Sequence, residues 1–203
     1  MKGRVLRGLE KALWTAGCLL VLVYVIARAD SVVGSRAALA SLATVSDPSY
    51  EPQYRFWSQE RIKAYRASAT RDPGPLVGTL QIPALDLLVP LYGDTTELHL
   101  NRGVGLIAGM ALPGEPGNMG IAGHRDGFFR VLRDIRKGHR LEVRTPGTRY
   151  VYEVSGVSIV DANDATLLAP TREASLTLVT CYPFYFVGPA PRRFVVRSVL
   201  VSS

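Results

Sequence analysis

Hydrophobic and polar positions follow three different patterns along the 203 residues of the chain. Residues 12–27 are uncharged and mostly apolar, with no polar stripe at helical spacing. Residues 29–75 are Ala/Leu-rich at first and are then broken by Asp-Pro and Glu-Pro pairs. From Leu76 onward the pattern changes to short apolar runs separated by turn residues. It predicts a mainly β domain that follows a membrane segment and a stalk.

The apolar runs after Leu76 predict about eight short strands. They lie at residues 77–82, 87–91, 118–123, 141–144, 150–154, 157–160, 175–180 and 194–201. Pro146-Gly147 marks a hairpin, Thr95–Ile107 begins like a capped helical turn, and Phe128–Ile135 reads as a short amphipathic helix. Many short strands with frequent turns are typical of a small closed or nearly closed β-barrel.

The N-terminal apolar run predicts a single transmembrane helix. Residues 12–27 would form about 24 Å of helix, and the flanking Lys11 and Arg28 can extend toward the lipid headgroups. Four basic residues before the run predict a cytoplasmic N-terminus. A cleaved signal peptide and a buried core helix are the alternatives, and Ala27-Arg28-Ala29 formally fits a cleavage site. The favoured division is a basic tail at 1–11, an anchor at 12–28, an extracytoplasmic stalk at 29–75 and a β-barrel domain at 76–203.

The stalk contains one clear helix signal just before the domain. Ser58 is a candidate N-cap for a short helix, and Trp57, Ile62 and Tyr65 are spaced to lie near one face. We expect this helix to pack on the domain rather than to bind a partner.

Composition adds limits on the function. Lys and Arg number 24 against 17 Asp and Glu, for a net charge of +7. The tail carries four basic residues and one acidic residue, which account for +3 of this excess. The rest is scattered, so we expect no nucleic-acid partner. Two cysteines are too few for a disulfide scaffold, and neither has metal-site spacing.

Cys181 is the first candidate for chemistry, because the other cysteine, Cys18, lies in the apolar N-terminal run. Cys181 ends an apolar strand and precedes Tyr182-Pro183. An unpaired thiol in an oxidising compartment is either buried as a small apolar residue or used as a nucleophile.

A nucleophilic thiol needs a proton partner, and the chain has three histidines. His99 in a predicted helix and His139 in a charged stretch fit packed or solvated positions. His124 follows a strand and is surrounded by small residues, which leaves room for proton transfer. Arg192 and Arg193 open the last strand, and one of the two is expected to point toward the thiol.

These residues resemble the sortases, membrane-anchored cysteine transpeptidases of bacterial envelopes. The likeness rests on Thr177-Leu-Val-Thr-Cys181, Gly123-His124-Arg125-Asp126 and Arg193-Phe-Val-Val, and it covers about residues 76–203. The aromatic run after Cys181 is most similar to class D, and in particular to its proteobacterial branch.

The resemblance implies a closed eight-stranded barrel with short helices and assigns roles by motif. Cys181 is the implied nucleophile, His124 the acid and base, and Arg193 the oxyanion-stabilising residue, with Arg192 as the alternative. Thr180 is a candidate for orienting the substrate or the oxyanion. The acidic calcium cluster of some class A members is not recognisable, so no metal or other cofactor is predicted.

The implied reaction cleaves an LPxTG-like sorting motif after Thr through a thioacyl-enzyme. The partners are a protein with such a C-terminal signal and an amine acceptor, either peptidoglycan or protein. The implied location is the bacterial cytoplasmic membrane, with one span and the catalytic domain outside. Two alternatives stand beside this prediction: a thiol peptidase that releases its substrate by hydrolysis, and a non-catalytic, membrane-tethered binding barrel.

Overall fold

The computed structural model describes residues 11, 13–22, 40, 42–44, 51–185 and 188–203. Residues 13–22 are helical with exposed side chains. The remainder of the predicted anchor (12 and 23–28) and most of the predicted stalk before residue 51 lie outside the described residues. None of the helices in the described ranges is both long and apolar enough to cross a membrane.

Eight strands close into a barrel, which confirms the predicted architecture. Around the barrel their order is β1-β2-β3-β4-β7-β8-β6-β5. Most neighbours are antiparallel, but β2 and β3 are parallel, as are β4 and β7. The strands are β1 (Gly78–Ile82), β2 (Leu87–Tyr92), β3 (Val104–Leu106), β4 (Asn118–Ala122), β5 (Arg140–Arg144), β6 (Arg149–Asp161), β7 (Ser175–Tyr182) and β8 (Arg192–Ser202).

Short helices occupy several of the connections and the approach to the barrel. Two are α-helices, α1 (Gln59–Ser68) and α2 (Glu97–Arg102). Three are 3₁₀ helices, η1 (Pro83–Leu85), η2 (Phe128–Asp134) and η3 (Ala165–Leu168). The amphipathic helix predicted at residues 128–135 is thus a 3₁₀ helix, with Phe128, Phe129 and Leu132 buried.

The strand count of eight is correct, but two of its members differ from the prediction. The runs at 150–154 and 157–160 are one continuous strand, β6, whose pairing with β8 shifts between Val154 and Gly156. Such a bulge absorbs an extra residue without ending the strand. The eighth strand is β3, which lies inside the segment predicted to be helical and pairs with β2 and β4.

The main core fills the barrel, and β7 is buried on both of its faces. Residues 176–180 of β7 are all buried. Leu176 and Leu178 belong to the interior core, whereas Val179 belongs to a second apolar cluster. Since side chains alternate along a strand, this second cluster lies on the opposite face of β7, outside the barrel.

Helix α1 packs on the barrel as predicted. The Ser58 hydroxyl accepts a hydrogen bond from the backbone N–H of Arg61, which confirms the N-cap. Tyr65 is buried, and the Trp57 ring lies 5.7 Å from Tyr65 and 4.6 Å from Phe128 of η2, centroid to centroid. The helix therefore joins the core next to the loop that carries His124.

Candidate active site

The end of β7 presents the candidate thiol. Cys181 is the penultimate residue of β7, is half-buried and forms no disulfide. The five buried residues before it anchor the strand in the barrel. The thiol therefore sits at a rigid position beside the loop that follows the strand.

The parallel pairing of β4 with β7 brings His124 to the same barrel end. Ala122 is aligned with Val179, and the backbone N–H of Gly123 donates to the Val179 carbonyl over 3.2 Å. One step further along both chains, the Thr180 hydroxyl donates to the Gly123 carbonyl over 2.8 Å. His124 and Cys181 are the next residues along these two segments.

Gly123 is required by close packing at this point. A Cβ atom there would lie 2.7 Å from the ring of Phe129, which is fully buried. Only glycine lets the chain pass the ring and then present His124 next to the end of β7.

The antiparallel pairing of β7 with β8 places Arg193 directly opposite Cys181. Directly opposed residues project from the same face of a sheet, so the guanidinium and the thiol share a face. Arg193 Nη1 donates to the carbonyls of Ala190 and Arg192, at 3.2 and 3.1 Å. These two bonds hold the Arg193 side chain against the loop before β8.

Arg192 lies on the other face. It is opposite Tyr182, and its guanidinium carbon is 5.3 Å from the centroid of the Tyr182 ring. The alternation of the strand thus separates the two arginines and favours Arg193 as the residue that accompanies Cys181.

Thr180 is buried and faces the barrel interior, opposite Phe194. Its hydroxyl is committed to the Gly123 carbonyl, so its observed contact joins β7 to the segment before His124. Its predicted contact with substrate or oxyanion stays a prediction.

The two other histidines lie in different surroundings. His99 stacks on Tyr92 with ring centroids 4.6 Å apart, and its Nδ1 lies 2.5 Å from a carboxylate oxygen of Asp94. His139 lies in the turn before β5, where its backbone carbonyl accepts a hydrogen bond from Val154. Neither lies on the segment that runs beside the end of β7.

Three charged residues surround His124. Glu97 Oε1 lies 3.6 Å from His124 Nε2 and 3.7 Å from Arg61 Nη1. Arg61 Nε in turn donates to Asp126 over 3.1 Å. Burial of the ring lowers the pKa of His124, and the Arg61 cation lowers it further, whereas Glu97 and Asp126 oppose the shift. The net effect favours the neutral imidazole.

Arg61 and Glu97 were not among the candidates from the sequence. Arg61 lies in the first turn of α1 and Glu97 opens α2, positions where charged residues are usually solvated. Only the packing of α1 and α2 against the His124 loop brings them together, and the separations along the chain give no local signal for it.

An apolar surface adjoins the thiol. Val179 and Val195 lie on the face of Cys181 and Arg193 and pack with Leu167 of the β6–β7 connection. Val179, Val195 and Leu167 are buried, whereas Ile107, Val160 and Leu168, which border this outer apolar cluster, are partly exposed. The accessible apolar surface next to Cys181 and Arg193 is therefore this partly exposed edge.

The aromatic segment after Cys181 packs mainly into the barrel. Phe184 is buried in the core, and Tyr182 packs against it with ring centroids 5.9 Å apart. Tyr185 is exposed, and the Arg130 guanidinium lies 4.4 Å from its ring centroid. In the described part of this segment the side chains thus serve packing, while Phe186 lies outside the described residues.

No group of three or more acidic, His or Cys side chains in the described ranges is arranged to hold a metal ion.

Comparison with known proteins adds the family context. A family model described as Sortase domain matches residues 80–201. The chain is 33% identical to Sortase D of Bacillus subtilis over 132 residues, which are 64% of this chain and 67% of that protein.

Solved structures show the same fold. Sortase E1 of Streptomyces coelicolor, solved with a tripeptide in its active site, superposes with a TM-score of 0.56 at 27% identity, covering 64% of this chain and 90% of that one. A Sortase D5 transpeptidase of Clostridium perfringens gives a TM-score of 0.58 at 20% identity, covering 81% and 98%.

Proposed function

The chain belongs to the sortase family of cysteine transpeptidases, and we propose that it cleaves a sorting motif of the LPxTG type and transfers the cleaved protein to an amine. The observation that carries this proposal is the register of three adjacent strands. The pairing of β4 with β7 and of β7 with β8 places His124, Cys181 and Arg193 at one end of the barrel. Similarity to Sortase D supports a class D enzyme.

In the first half-reaction, His124 takes the proton of the Cys181 thiol, and the resulting thiolate attacks the carbonyl carbon of the motif Thr, forming a C–S bond. The carbonyl oxygen gains negative charge, which the Arg193 guanidinium stabilises through charge-assisted hydrogen bonds. The tetrahedral intermediate collapses with cleavage of the C–N bond. The departing amine takes a proton from the His124 imidazolium and leaves a thioester.

In the second half-reaction, neutral His124 takes a proton from the acceptor amine as the amine attacks the thioester carbonyl. The C–S bond breaks, and the departing Cys181 thiolate takes the proton back from the His124 imidazolium, which restores the thiol and the neutral imidazole. The acceptor is peptidoglycan or a protein amine.

The partly exposed edge of the outer apolar cluster would contact the apolar residues of the motif. This edge consists of Ile107, Val160 and Leu168, and Val160 is opposite Arg193 in the pairing of β6 with β8. Residues N-terminal to the scissile bond would lie along this edge, while Arg193 contacts the carbonyl oxygen.

Replacement of the nucleophile tests the proposal. Cys181→Ala is expected to lower transpeptidation of an LPxTG-like peptide with an amine acceptor by at least ~10⁴-fold, since the thioester cannot form. Product mass spectrometry follows the reaction, and Cys18→Ala serves as the matched control with unchanged turnover. Near-normal turnover by Cys181→Ala would refute the mechanism. Hydrolysis product alone, at saturating amine, would identify a peptidase.

The second part of the proposal is the location. The uncharged run at 12–27 and the basic residues before it support a single anchor with the barrel outside the cytoplasm. The expected result is that full-length chain sediments with membranes and that external protease degrades the barrel in spheroplasts. Recovery in the soluble fraction, or protection from the protease, would contradict this topology.

A further inference from the structure

Helix α1 precedes the barrel in the chain, yet it contributes a charged side chain to the surroundings of His124. Arg61 is 15% exposed in its side chain, whereas Glu97, which it contacts, is 73% exposed. A mostly buried guanidinium beside a catalytic imidazole is electrostatically unfavourable unless anions accompany it. The effect of Arg61 on His124 therefore depends on which anionic groups contact the Arg61 guanidinium.

Arg61 is held by contacts to three residues of two other segments. Its Nε donates to Asp126 over 3.1 Å, two residues after His124. Its Nη1 bonds Asn101 of α2 and lies 3.7 Å from Glu97. Asp126 is held from its other oxygen by the Ser58 hydroxyl at 3.0 Å.

Glu97 is the acidic group that reaches the ring itself. Its Oε1 lies 3.6 Å from His124 Nε2, and that nitrogen is buried with no hydrogen-bond partner among the described residues. Asp126, by contrast, is occupied by Arg61 and Ser58. A small closure of the gap between Glu97 and Nε2 would give a charge-assisted hydrogen bond. With Nε2 directed at Glu97, Nδ1 is left for proton transfer.

We propose that Glu97 is a positioning residue for His124, fixing its ring and stabilising its protonated form, and that Arg61 of α1 holds Glu97 and opposes that protonation. The inference rests on the proposed role of His124 as proton carrier. It makes the segment before the barrel a part of the active site. The charged groups that face His124 are then Arg61 from α1, Glu97 from α2 and Asp126 from its own loop.

The two charges act with opposite signs, and this gives a direct test. Glu97→Gln removes the anion and is expected to lower the pKa of His124. Arg61→Met removes the cation and is expected to raise it. The measurement is the NMR titration of the His124 ring protons in a Cys181→Ala background, where the thiol cannot couple to the titration. The resonance is assigned by its loss in His124→Asn.

Two variants on the exposed side of α1 serve as matched controls. Glu60→Gln and Lys63→Met change charge on the same helix and are expected to leave the His124 titration in place. The proposal is overturned if the pKa of His124 in Glu97→Gln equals its pKa in Glu60→Gln. It is also overturned if the pKa of His124 in Arg61→Met is unchanged or lower. If Arg61→Met fails to fold, the titration of Glu97→Gln still tests the proposal, because the exposed Glu97 side chain can be replaced without disturbing the core.

Kinetics separates positioning from simple stability. In the full chain with Cys181 intact, Glu97→Gln is expected to lower kcat about two- to fivefold with KM unchanged, the effect of one partly exposed ion pair. Turnover equal to that of Glu60→Gln overturns the positioning role. The NMR titration does not depend on turnover. If Cys181→Ala kept near-normal turnover, the transpeptidase proposal would fail, while the effect of Glu97 on the titration of His124 could still be measured.

Discussion

The two halves of the active site are held in different ways. Cys181 and Arg193 are opposed residues on paired strands, so backbone hydrogen bonds of the barrel fix their relation. His124 lies just beyond a strand, and side chains from α1 and α2 surround it. The first half depends on register alone, whereas the second depends on polar contacts between distant segments. Substitutions in the two halves should therefore fail in different ways.

The largest effect is expected in the strand half. Arg193→Ala should lower kcat about 10²–10³-fold, as removal of an oxyanion-stabilising donor does. Arg192→Ala is the matched control, because its side chain lies on the opposite face over Tyr182, and its turnover should stay within about twofold. Steady-state kinetics with the peptide substrate measures both. A larger loss in Arg192→Ala than in Arg193→Ala would exchange the two roles.

An intermediate effect is expected where the halves meet. Thr180→Val removes the buried hydroxyl that donates to the Gly123 carbonyl and should cost about 1–3 kcal/mol of unfolding free energy. Urea unfolding measures the loss, and Thr180→Ser, which keeps the hydroxyl, should recover most of it. Full stability of the valine variant would show that this bond does not join the two halves.

The smallest effect is expected in the loop half. Ser58→Ala removes both the N-cap of α1 and the hydroxyl bound to Asp126, at a cost of about 1 kcal/mol. The turnover rate should also fall, because Ser58 helps to hold Asp126 and Arg61 beside His124, although Ser58 lies outside the barrel strands. Ser58→Asn, which can cap the helix, is the comparison variant. A stability loss without any change in turnover would indicate that α1 supports the fold but not the site.

The same division separates what the sequence predicts from what it leaves out. Cys181, His124 and Arg193 each stand at the edge of an apolar run, and alternation along β8 explains why one arginine of the pair faces the thiol. Strand β3 is not predicted because three residues carry almost no periodic signal. Strand β6 was divided because Gly156 reads as a break, although a bulge carries the strand through it.

Arg61 and Glu97 lie beyond any such pattern. Each looks like an ordinary charged residue on a short helix, and their meeting at His124 depends on how α1 and α2 pack. Tertiary packing of this kind leaves no trace in local spacing. The predicted helix at Ser58 was correct, but its contribution to the site followed only from the structure.

The parallel pairing of β4 with β7 has a consequence for folding. His124 and Cys181 are 57 residues apart, and this pairing joins the two segments that carry them. Closing so long a loop costs entropy that only the completed barrel repays. We therefore expect activity to arise with barrel closure rather than gradually, so that the chain would carry an unactivated thiol until its fold is complete.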